Sequence, residues 1–305
     1  MRLKKIVAAT AVSAAATAGM LTAGPVAQAA PGGDCPKLYV VAIPGTWETS
    51  AAPDQVHPHG MLGGVTDGLG DADIRTDYVT YAATAFPWEG DVYADSKQQA
   101  HDNARGMLEA MQQRCAATQF GIIGYSQGAD AAGDLASEIG TGISTIRPEK
   151  VAAVGLLSDP RRSATDALIG PWVPGDGAGG ARVGGFGWIS DRTVTFCAVG
   201  DLYCSTEDDD FVMRVAGFAA QNSDGESSDS PNSGADAGAL WNDLQGAGGI
   251  PALQGQLTEE ANAERVGQLA RFYGSGAHQN YQGYAVDNAG NTPATWLANW
   301  LREKA

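Results

Sequence analysis

Ser126 lies between two glycines in Gly-Tyr-Ser-Gln-Gly at 124–128. An apolar run at 120–123 precedes this motif, and small residues that suit a helix follow it. A serine in this pattern is typical of a nucleophile elbow, in which a tight strand-to-helix turn holds the hydroxyl at the carboxyl edge of a sheet. The pattern predicts Ser126 as a nucleophile, and a glycine-rich turn without chemistry is the alternative for the bare motif.

A serine nucleophile needs a base, and the chain has four histidines. His101 lies in a charged helical stretch, where we expect a solvated side chain. His57 and His59 form His-Pro-His in a loop, and a metal pair there has no third ligand in the sequence. His278 follows Ser126 along the chain, as the order serine, acid, histidine of such hydrolases requires. We therefore predict His278 as the base.

Asp201 is the candidate acid because it follows a predicted strand at 193–199 and lies inside Cys-Ala-Val-Gly-Asp-Leu-Tyr-Cys at 197–204. A disulfide across this loop would hold the carboxylate at the carboxyl edge of the sheet. There the carboxylate would orient the imidazole and stabilise the imidazolium without taking up the proton itself. An exposed loop aspartate is the alternative.

An oxyanion would need preorganised donors. The backbone amide of Gln127, directly after the serine, is one candidate. The loop after the first predicted strand, Pro-Gly-Thr-Trp-Glu at 44–48, offers the amide of Thr46 and its hydroxyl as a second. Ordinary turn chemistry without function is the alternative for Thr46.

Apolar runs and helical periodicities alternate along the chain. Strands are predicted at 38–43, 77–83, 120–124, 151–157 and 193–199, and helices at 95–114 and 128–139. Buried strands that alternate with helices favour a parallel sheet with right-handed crossovers. The sequence therefore predicts an α/β fold.

Residues 205–275 do not fit a minimal sheet and are predicted to be an insertion. Helical patterns at 210–220 and 259–273 flank a polar run at 222–237. The segment is either a cap over a site or a surface excursion. A final amphipathic helix at 292–304 is expected to dock on the core, and membrane contact is its alternative.

The first 29 residues are predicted to be a secretory signal peptide. Arg2, Lys4 and Lys5 precede an uncharged alanine-rich run, and Ala-Gln-Ala at 27–29 fits a cleavage site. An uncleaved anchor is the alternative, and no later stretch is long and apolar enough to span a membrane. Beyond the signal, 16 basic residues face 35 acidic ones, a formal charge of about −19 that disfavours nucleic acid and anionic lipid partners.

Four cysteines remain after export: Cys35, Cys115, Cys197 and Cys204. An even number in an oxidising compartment favours two disulfides, for which three pairings exist. A metal site is disfavoured because no Cys-x-x-Cys occurs and no histidine is near a cysteine in the sequence.

Together these motifs resemble the cutinase family of secreted serine esterases, and most closely its actinobacterial members. The resemblance rests on Gly-Tyr-Ser-Gln-Gly at 124–128, Cys-x3-Asp-x2-Cys at 197–204, His-x2-Tyr at 278–281, and Cys115 eleven residues before Ser126. It implies a three-layer α/β-hydrolase sandwich around a mostly parallel five-stranded sheet, in a single domain at 35–305 that carries the insertion.

The resemblance also implies roles for individual residues. It pairs Cys35 with Cys115 and Cys197 with Cys204. It makes Ser126 the nucleophile, Asp201 the acid and His278 the base, with Gln127 at the oxyanion position. Thr46 falls where fungal members usually carry a serine.

The function that the resemblance implies is hydrolysis of acyl-ester or lipid substrates by a secreted, envelope-associated monomer without cofactor or metal. The long segment at 205–273 departs from the small fungal cutinases and leaves activity on bulky polyester open. An envelope acyltransferase with the same triad and a non-catalytic envelope-binding protein are the alternatives.

Overall fold

A five-stranded sheet forms the centre of the molecule. The computed structural model describes residues 35–51, 59–70, 73–223 and 233–305, so the predicted signal peptide and His57 lie outside the described residues. The strands are β1 Leu38–Ile43, β2 Ile74–Tyr78, β3 Gln119–Tyr125, β4 Val151–Leu157 and β5 Thr193–Phe196. They lie in the order β2-β1-β3-β4-β5, and every neighbouring pair is parallel. The predicted α/β fold with a five-stranded sheet is confirmed.

The second strand differs from the prediction of 77–83. β2 ends at Tyr78, which pairs with Ala42 near the end of β1. Beyond that point the chain leaves the sheet, although three further residues remain buried in the core: Val79, Tyr81 and Ala83. The alternation that suggests a longer strand therefore reflects the burial of a loop rather than pairing in the sheet.

Helices cover both faces of the sheet. Within the described residues the α-helices are α1 Gly63–Thr66, α2 Tyr93–Arg114, α3 Gln127–Thr141, α4 Phe211–Gln221, α5 Ser233–Gly246, α6 Ile250–Gly255, α7 Glu259–Ser275 and α8 Pro293–Arg302. Short 3-10 helices cover Gly60–Leu62, Asp67–Leu69, Pro87–Glu89, Pro148–Lys150, Gly187–Arg192 and Ala277–Gln279. Helices α2 and α3 share one core cluster with the sheet, whereas α1 and α8 share the other. The result is the expected three-layer sandwich.

The C-terminal helix docks on the core, which was the first of its two predicted uses. Leu297 and Leu301 of α8 are fully buried against the sheet, and Trp296 and Trp300 pack beside them. Thr292 caps the helix by accepting a hydrogen bond from the amide of Thr295. The apolar face of α8 is therefore used inside the fold.

Within its described residues, the predicted insertion at 205–275 contains four α-helices, α4 to α7. The two predicted flanks correspond to α4 and α7, and residues 224–232 of the polar run lie outside the described ranges. The prediction misses α5, which begins inside the polar run. Alanine and leucine favour a helix there, and ion pairs join Asp236 to Arg161 at 2.7 Å and Asp243 to Arg214 at 2.6 Å. These pairs tie α5 to the rest of the chain.

His101 is buried, which corrects the expectation of a solvated side chain. It lies on the side of α2 that packs against α3, and its Nε2 is 3.2 Å from Glu138 Oε1. Its Nδ1 is 3.1 Å from Asp102 Oδ1. Burial by itself lowers the pKa of His101, but the two carboxylates outweigh it and raise this pKa to about 9. The charged neighbours in the sequence therefore serve as partners for a buried imidazolium.

Both disulfides implied by the resemblance are present. One joins Cys35 to Cys115 at the end of α2, and the other joins Cys197 to Cys204 after β5. Among the described residues, no helix combines the length and the apolar character that a membrane crossing requires.

The carboxyl ends of four neighbouring strands meet at one edge of the sheet. In the register Ile43 of β1 pairs with Gly124 of β3, Tyr125 pairs with Leu157 of β4, and Leu157 pairs with Phe196 of β5. Residues that follow these strands are therefore brought side by side, although they are far apart along the chain.

Candidate active site

Ser126 lies in a strained turn between β3 and α3. Its backbone has φ +55° and ψ −123°, a conformation that residues with a side chain seldom adopt. Its amide donates to the carbonyl oxygen of Leu157 at 3.0 Å. The turn requires small flanking residues, because a Cβ on Gly124 would lie 2.3 Å from the carbonyl oxygen of Gly128. This geometry is that of a nucleophile elbow.

The structure brings the predicted base to the predicted nucleophile. The distance between Ser126 Oγ and His278 Nε2 is 2.9 Å, across 152 residues of sequence. The Ser126 residue is 8% exposed. At this distance the imidazole can accept the hydroxyl proton directly.

Asp201 lies behind the imidazole and is fully buried. Its Oδ2 and Oδ1 are 3.1 Å and 3.2 Å from His278 Nδ1. Burial raises the pKa of Asp201, but hydrogen bonds from His278, Ser158 and Tyr281 outweigh this effect and hold that pKa below its ordinary value. A buried carboxylate that stays ionised can orient the imidazole and stabilise its positive charge.

Two hydroxyls that the sequence analysis did not assign also bind Asp201. Ser158, the first residue after β4, donates to Oδ2 at 2.6 Å and lies 2.9 Å from His278 Nδ1. Tyr281 donates to the same oxygen at 2.7 Å, while its own oxygen accepts from the amide of Ala198. The position of Ser158 directly after a buried strand, like that of Ser126, was the signal available in the sequence.

The candidate oxyanion donors come from two segments near the nucleophile, because a Cβ on Gly45, beside Thr46, would lie 3.3 Å from Ser126 Cβ. Gln127 is the first residue of α3 and directly follows Ser126, so its amide has no acceptor within the helix. The Thr46 hydroxyl donates to Gln127 Oε1 at 3.3 Å. It is therefore the amide of Thr46 rather than its hydroxyl that is left for an oxyanion.

Glu48, whose role the sequence analysis missed, braces the Thr46 loop. Its carboxylate accepts from the amide of Gly45 at 2.9 Å and from the amide of Met61 at 2.7 Å. Burial raises the pKa of Glu48 above its ordinary value, and the amide hydrogen bonds partly offset this. The loop that carries Thr46 is thus held from within.

Aromatic rings enclose the imidazole of His278. The ring of Tyr203 lies 4.5 Å from it and that of Tyr125 lies 5.2 Å away, measured between ring centroids. The Tyr125 hydroxyl also donates to the carbonyl oxygen of His278 at 2.7 Å. Phe272, near the end of α7, packs on Tyr203 at 5.6 Å. The insertion therefore contributes to the wall around the base.

The other described histidines lie elsewhere. His59 stacks on Tyr78 with ring centroids 4.6 Å apart, and its Nδ1 is 3.5 Å from Asp67. His101 lies between α2 and α3, as described above. Among the described residues, His278 is the histidine that reaches Ser126.

The chain is similar to known esterases. It is 30% identical over 202 residues to a Corynebacterium glutamicum protein named carboxylesterase Culp6 homolog; the match covers 56% of this chain and spans 65% of the length of that relative. The catalytic core domain of acetyl xylan esterase from Trichoderma reesei matches 62% of this chain and 98% of its own, with 21% identity and a TM-score of 0.46. A cutinase-like protein from Cryptococcus sp. matches 63% and 92%, with 16% identity and a TM-score of 0.41.

The family model for cutinase matches residues 34–218, more than half of the chain. The matched range includes Ser126 and Asp201, whereas His278 lies beyond its end and is joined to them by the folded structure. With the match covering the sheet, both disulfides and the elbow, this chain belongs to the cutinase family.

Proposed function

We propose that the protein is a carboxylic ester hydrolase that forms an acyl-enzyme on Ser126. The observation that carries the proposal is the 2.9 Å distance between Ser126 Oγ and His278 Nε2, with the Asp201 carboxylate behind the imidazole. A nucleophile, a base and an acid in this arrangement form the catalytic triad of acyl transfer. Membership of the cutinase family and similarity to a relative named carboxylesterase support the ester as the substrate class.

In the first half of the reaction Ser126 Oγ bonds to the acyl carbon while His278 Nε2 takes the hydroxyl proton. The negative charge that develops on the carbonyl oxygen is held by the amides of Gln127 and Thr46. Asp201 stabilises the imidazolium and keeps its own charge. The tetrahedral intermediate collapses as His278 returns the proton to the leaving alcohol.

In the second half water attacks the acyl-enzyme. His278 takes one proton from the water as its oxygen bonds to the acyl carbon, and the same two amides hold the oxyanion. The Ser126–acyl bond breaks, Ser126 Oγ regains a proton from His278, and the carboxylic acid leaves. The protons balance in each half, so the cycle uses only these residues and water.

The insertion at 205–275 is proposed to cap the site and to select the acyl group. Phe272 packs on Tyr203 beside the imidazole, which supports a wall on that side. The end of α4, the first helix of the insertion, is held by two contacts with α2. Lys97 Nζ donates to Gln221 Oε1 at 2.6 Å, and Ser223 Oγ accepts from the amide of Ala94 at 3.2 Å. A capped serine with aromatic walls suits fatty-acyl esters. The predicted signal peptide and the two disulfides support secretion as part of the proposal.

The proposed function is tested with the Ser126→Ala variant and p-nitrophenyl acyl esters. We expect hydrolysis to fall by at least about 10³-fold, because the nucleophile is lost while the fold is kept. Ser190→Ala is the matched control: this exposed serine precedes β5, at the opposite edge of the sheet, and its loss should leave turnover unchanged. Turnover near that of the wild type in Ser126→Ala would refute the assignment.

The acyl selectivity of the cap is tested with a chain-length series of the same esters. A cap with an enclosed acyl site predicts higher kcat/KM for medium or long chains than for butyrate. Activity that is highest on butyrate and falls steadily with length would contradict an enclosed site. An added alcohol acceptor separates hydrolysis from acyl transfer, because hydrolysis alone yields free acid.

A further inference from the structure

Ser158 is a fully buried serine that touches both the base and the acid of the candidate site. Its Oγ is 2.9 Å from His278 Nδ1, which is closer than either carboxylate oxygen of Asp201, at 3.1 Å and 3.2 Å. It also donates to Asp201 Oδ2 at 2.6 Å. The hydroxyl therefore contacts both the imidazole of His278 and the Asp201 carboxylate that orients it.

The hydrogen-bonding capacity of a hydroxyl determines what this contact can do. A serine has one proton to donate and two lone pairs to accept. The proton of Ser158 goes to Asp201, so a lone pair is left for a proton on His278 Nδ1. A proton on Nδ1 leaves Nε2 unprotonated, which is the form that can accept the proton of Ser126.

We propose that Ser158 is a positioning residue that bridges His278 to Asp201 and holds the imidazole in the Nδ1-protonated tautomer, aimed at Ser126. Its effect on turnover rests on the proposed function, whereas its effect on the imidazole does not. Ser158 does not reach the substrate, because it is fully buried behind the imidazole.

The backbone conformation at Ser158 supports a specific role for its side chain. Its φ is +55°, the same as at Ser126, and a left-handed backbone is costly for a residue with a side chain. Its amide donates to the carbonyl oxygen of Phe196 at 2.9 Å, which fixes the turn after β4 against β5. Glycine would fit this backbone better, so the hydroxyl is what serine adds here.

Removal of the hydroxyl should change the charge balance around the imidazole. Asp201 now shares its charge with hydroxyl donors from Ser158 and Tyr281 and with the amide of Tyr203. Without the hydroxyl, Asp201 loses one donor and the Nδ1 proton of His278 loses one acceptor, so the Nδ1-protonated tautomer is held less firmly.

The other ionisable groups that face the imidazole remain in place when Ser158 is replaced. They are Glu48 in the loop after β1 and the phenols of Tyr125, Tyr203 and Tyr281. Burial raises the pKa of each phenol far above neutrality, so the phenols stay uncharged at neutral pH. The change is therefore attributed to the serine hydroxyl.

The test compares Ser158→Ala with Ser158→Gly. Both lose the hydroxyl, but glycine favours the left-handed backbone and alanine does not. NMR of the imidazole ¹⁵N nuclei, with His278 assigned by the resonances missing in His278→Ala, should show the Nδ1-protonated tautomer in the wild type and a smaller share of it in both variants. We expect kcat to fall about tenfold in both while KM changes less than twofold, because the loss affects orientation of the base.

Two outcomes would overturn the inference. One is an unchanged share of the Nδ1-protonated tautomer of His278 in both variants. The other is a loss of kcat in Ser158→Ala that Ser158→Gly restores, since this would assign the effect to the backbone. The tautomer measurement needs no turnover, so it separates this inference from the proposed function, which fails only if Ser126→Ala retains hydrolysis.

Discussion

Gly128 approaches the backbone of β1 so closely that a Cβ there would lie 2.1 Å from the carbonyl oxygen of Ile43. The first turn of α3 is thereby held against the strand that leads to Thr46. Because neither backbone can move aside, an added methyl must push the Ser126 turn away from the Thr46 loop. The glycine after the serine is therefore a condition for bringing Ser126 and Thr46 together.

We accordingly predict that Gly128→Ala lowers the free energy of unfolding by about 3 kcal/mol and abolishes esterase activity. Gly106→Ala is the matched control, because Gly106 lies on the exposed side of α2, where an added methyl would have no atom within 4 Å. The control should stabilise the protein by about 0.5–1 kcal/mol. Chemical denaturation measures both, and a fully active Gly128→Ala variant would contradict the prediction.

The two disulfides should make different contributions: Cys35–Cys115 more to stability and Cys197–Cys204 more to activity. Cys35–Cys115 closes a separation of 80 residues and Cys197–Cys204 one of 7. Loop-closure entropy predicts losses of about 4.5 kcal/mol and about 2.4 kcal/mol, respectively, when each pair is replaced by serines. The loop closed by Cys197–Cys204 carries Asp201, so removal of this disulfide should reduce kcat far more than removal of Cys35–Cys115.

Each double serine variant serves as the control for the other. Thermal unfolding is measured for both variants, and kcat is measured at a temperature at which both are folded. Equal losses of kcat in the two variants would contradict the view that the Cys197–Cys204 loop positions the acid.

Glu48 should support the oxyanion loop rather than act on the substrate. Glu48→Gln leaves one oxygen for the two amides of Gly45 and Met61, and its amide group faces one of them as a donor. We expect kcat to fall about tenfold with little change in KM, because loss of one oriented oxyanion donor costs up to about 10²–10³. Glu303→Gln, an exposed residue after α8, is the control, and equal activity of both variants would contradict the prediction.

His101 should make stability depend on pH above neutrality. Its folded pKa is about 9, above its ordinary value of 6.5, so the imidazolium stabilises the fold fully below about pH 6.5, and this contribution is lost as the pH rises through 9. The loss should reach about 3 kcal/mol. Denaturation of the wild type and of His101→Gln at pH 6.5 and 9.5 measures it, and an equal fall in both proteins would contradict the assignment.

Motif spacing predicted much of the fold and the meeting of the triad candidates. Ser126 and Asp201 each follow a strand, and strands of a parallel sheet end at one edge, so their convergence follows from local patterns. The pairing of Cys35 with Cys115 came from the resemblance, because three pairings were open from the residues alone. His278 is brought in by a loop, and its distance from Ser126 is a property of the folded chain.

Other features were missed because their causes are mainly tertiary. Ser158 follows a buried strand directly, which is a weak signal by itself, and its role depends on the side chains of two distant loops. The carboxylate of Glu48 acts on amides in its own loop and in the next helix. His101 lies in a charged stretch, but packing against α3 buries it.

The most direct test of the account is covalent labelling with a fluorophosphonate, followed by mass spectrometry of the intact protein and its peptides. The account predicts one adduct per chain, on Ser126 in the wild type, no adduct in Ser126→Ala, and labelling slowed by at least about 10²-fold in His278→Ala. An adduct on another serine, or labelling of His278→Ala at the rate of the wild type, would contradict it.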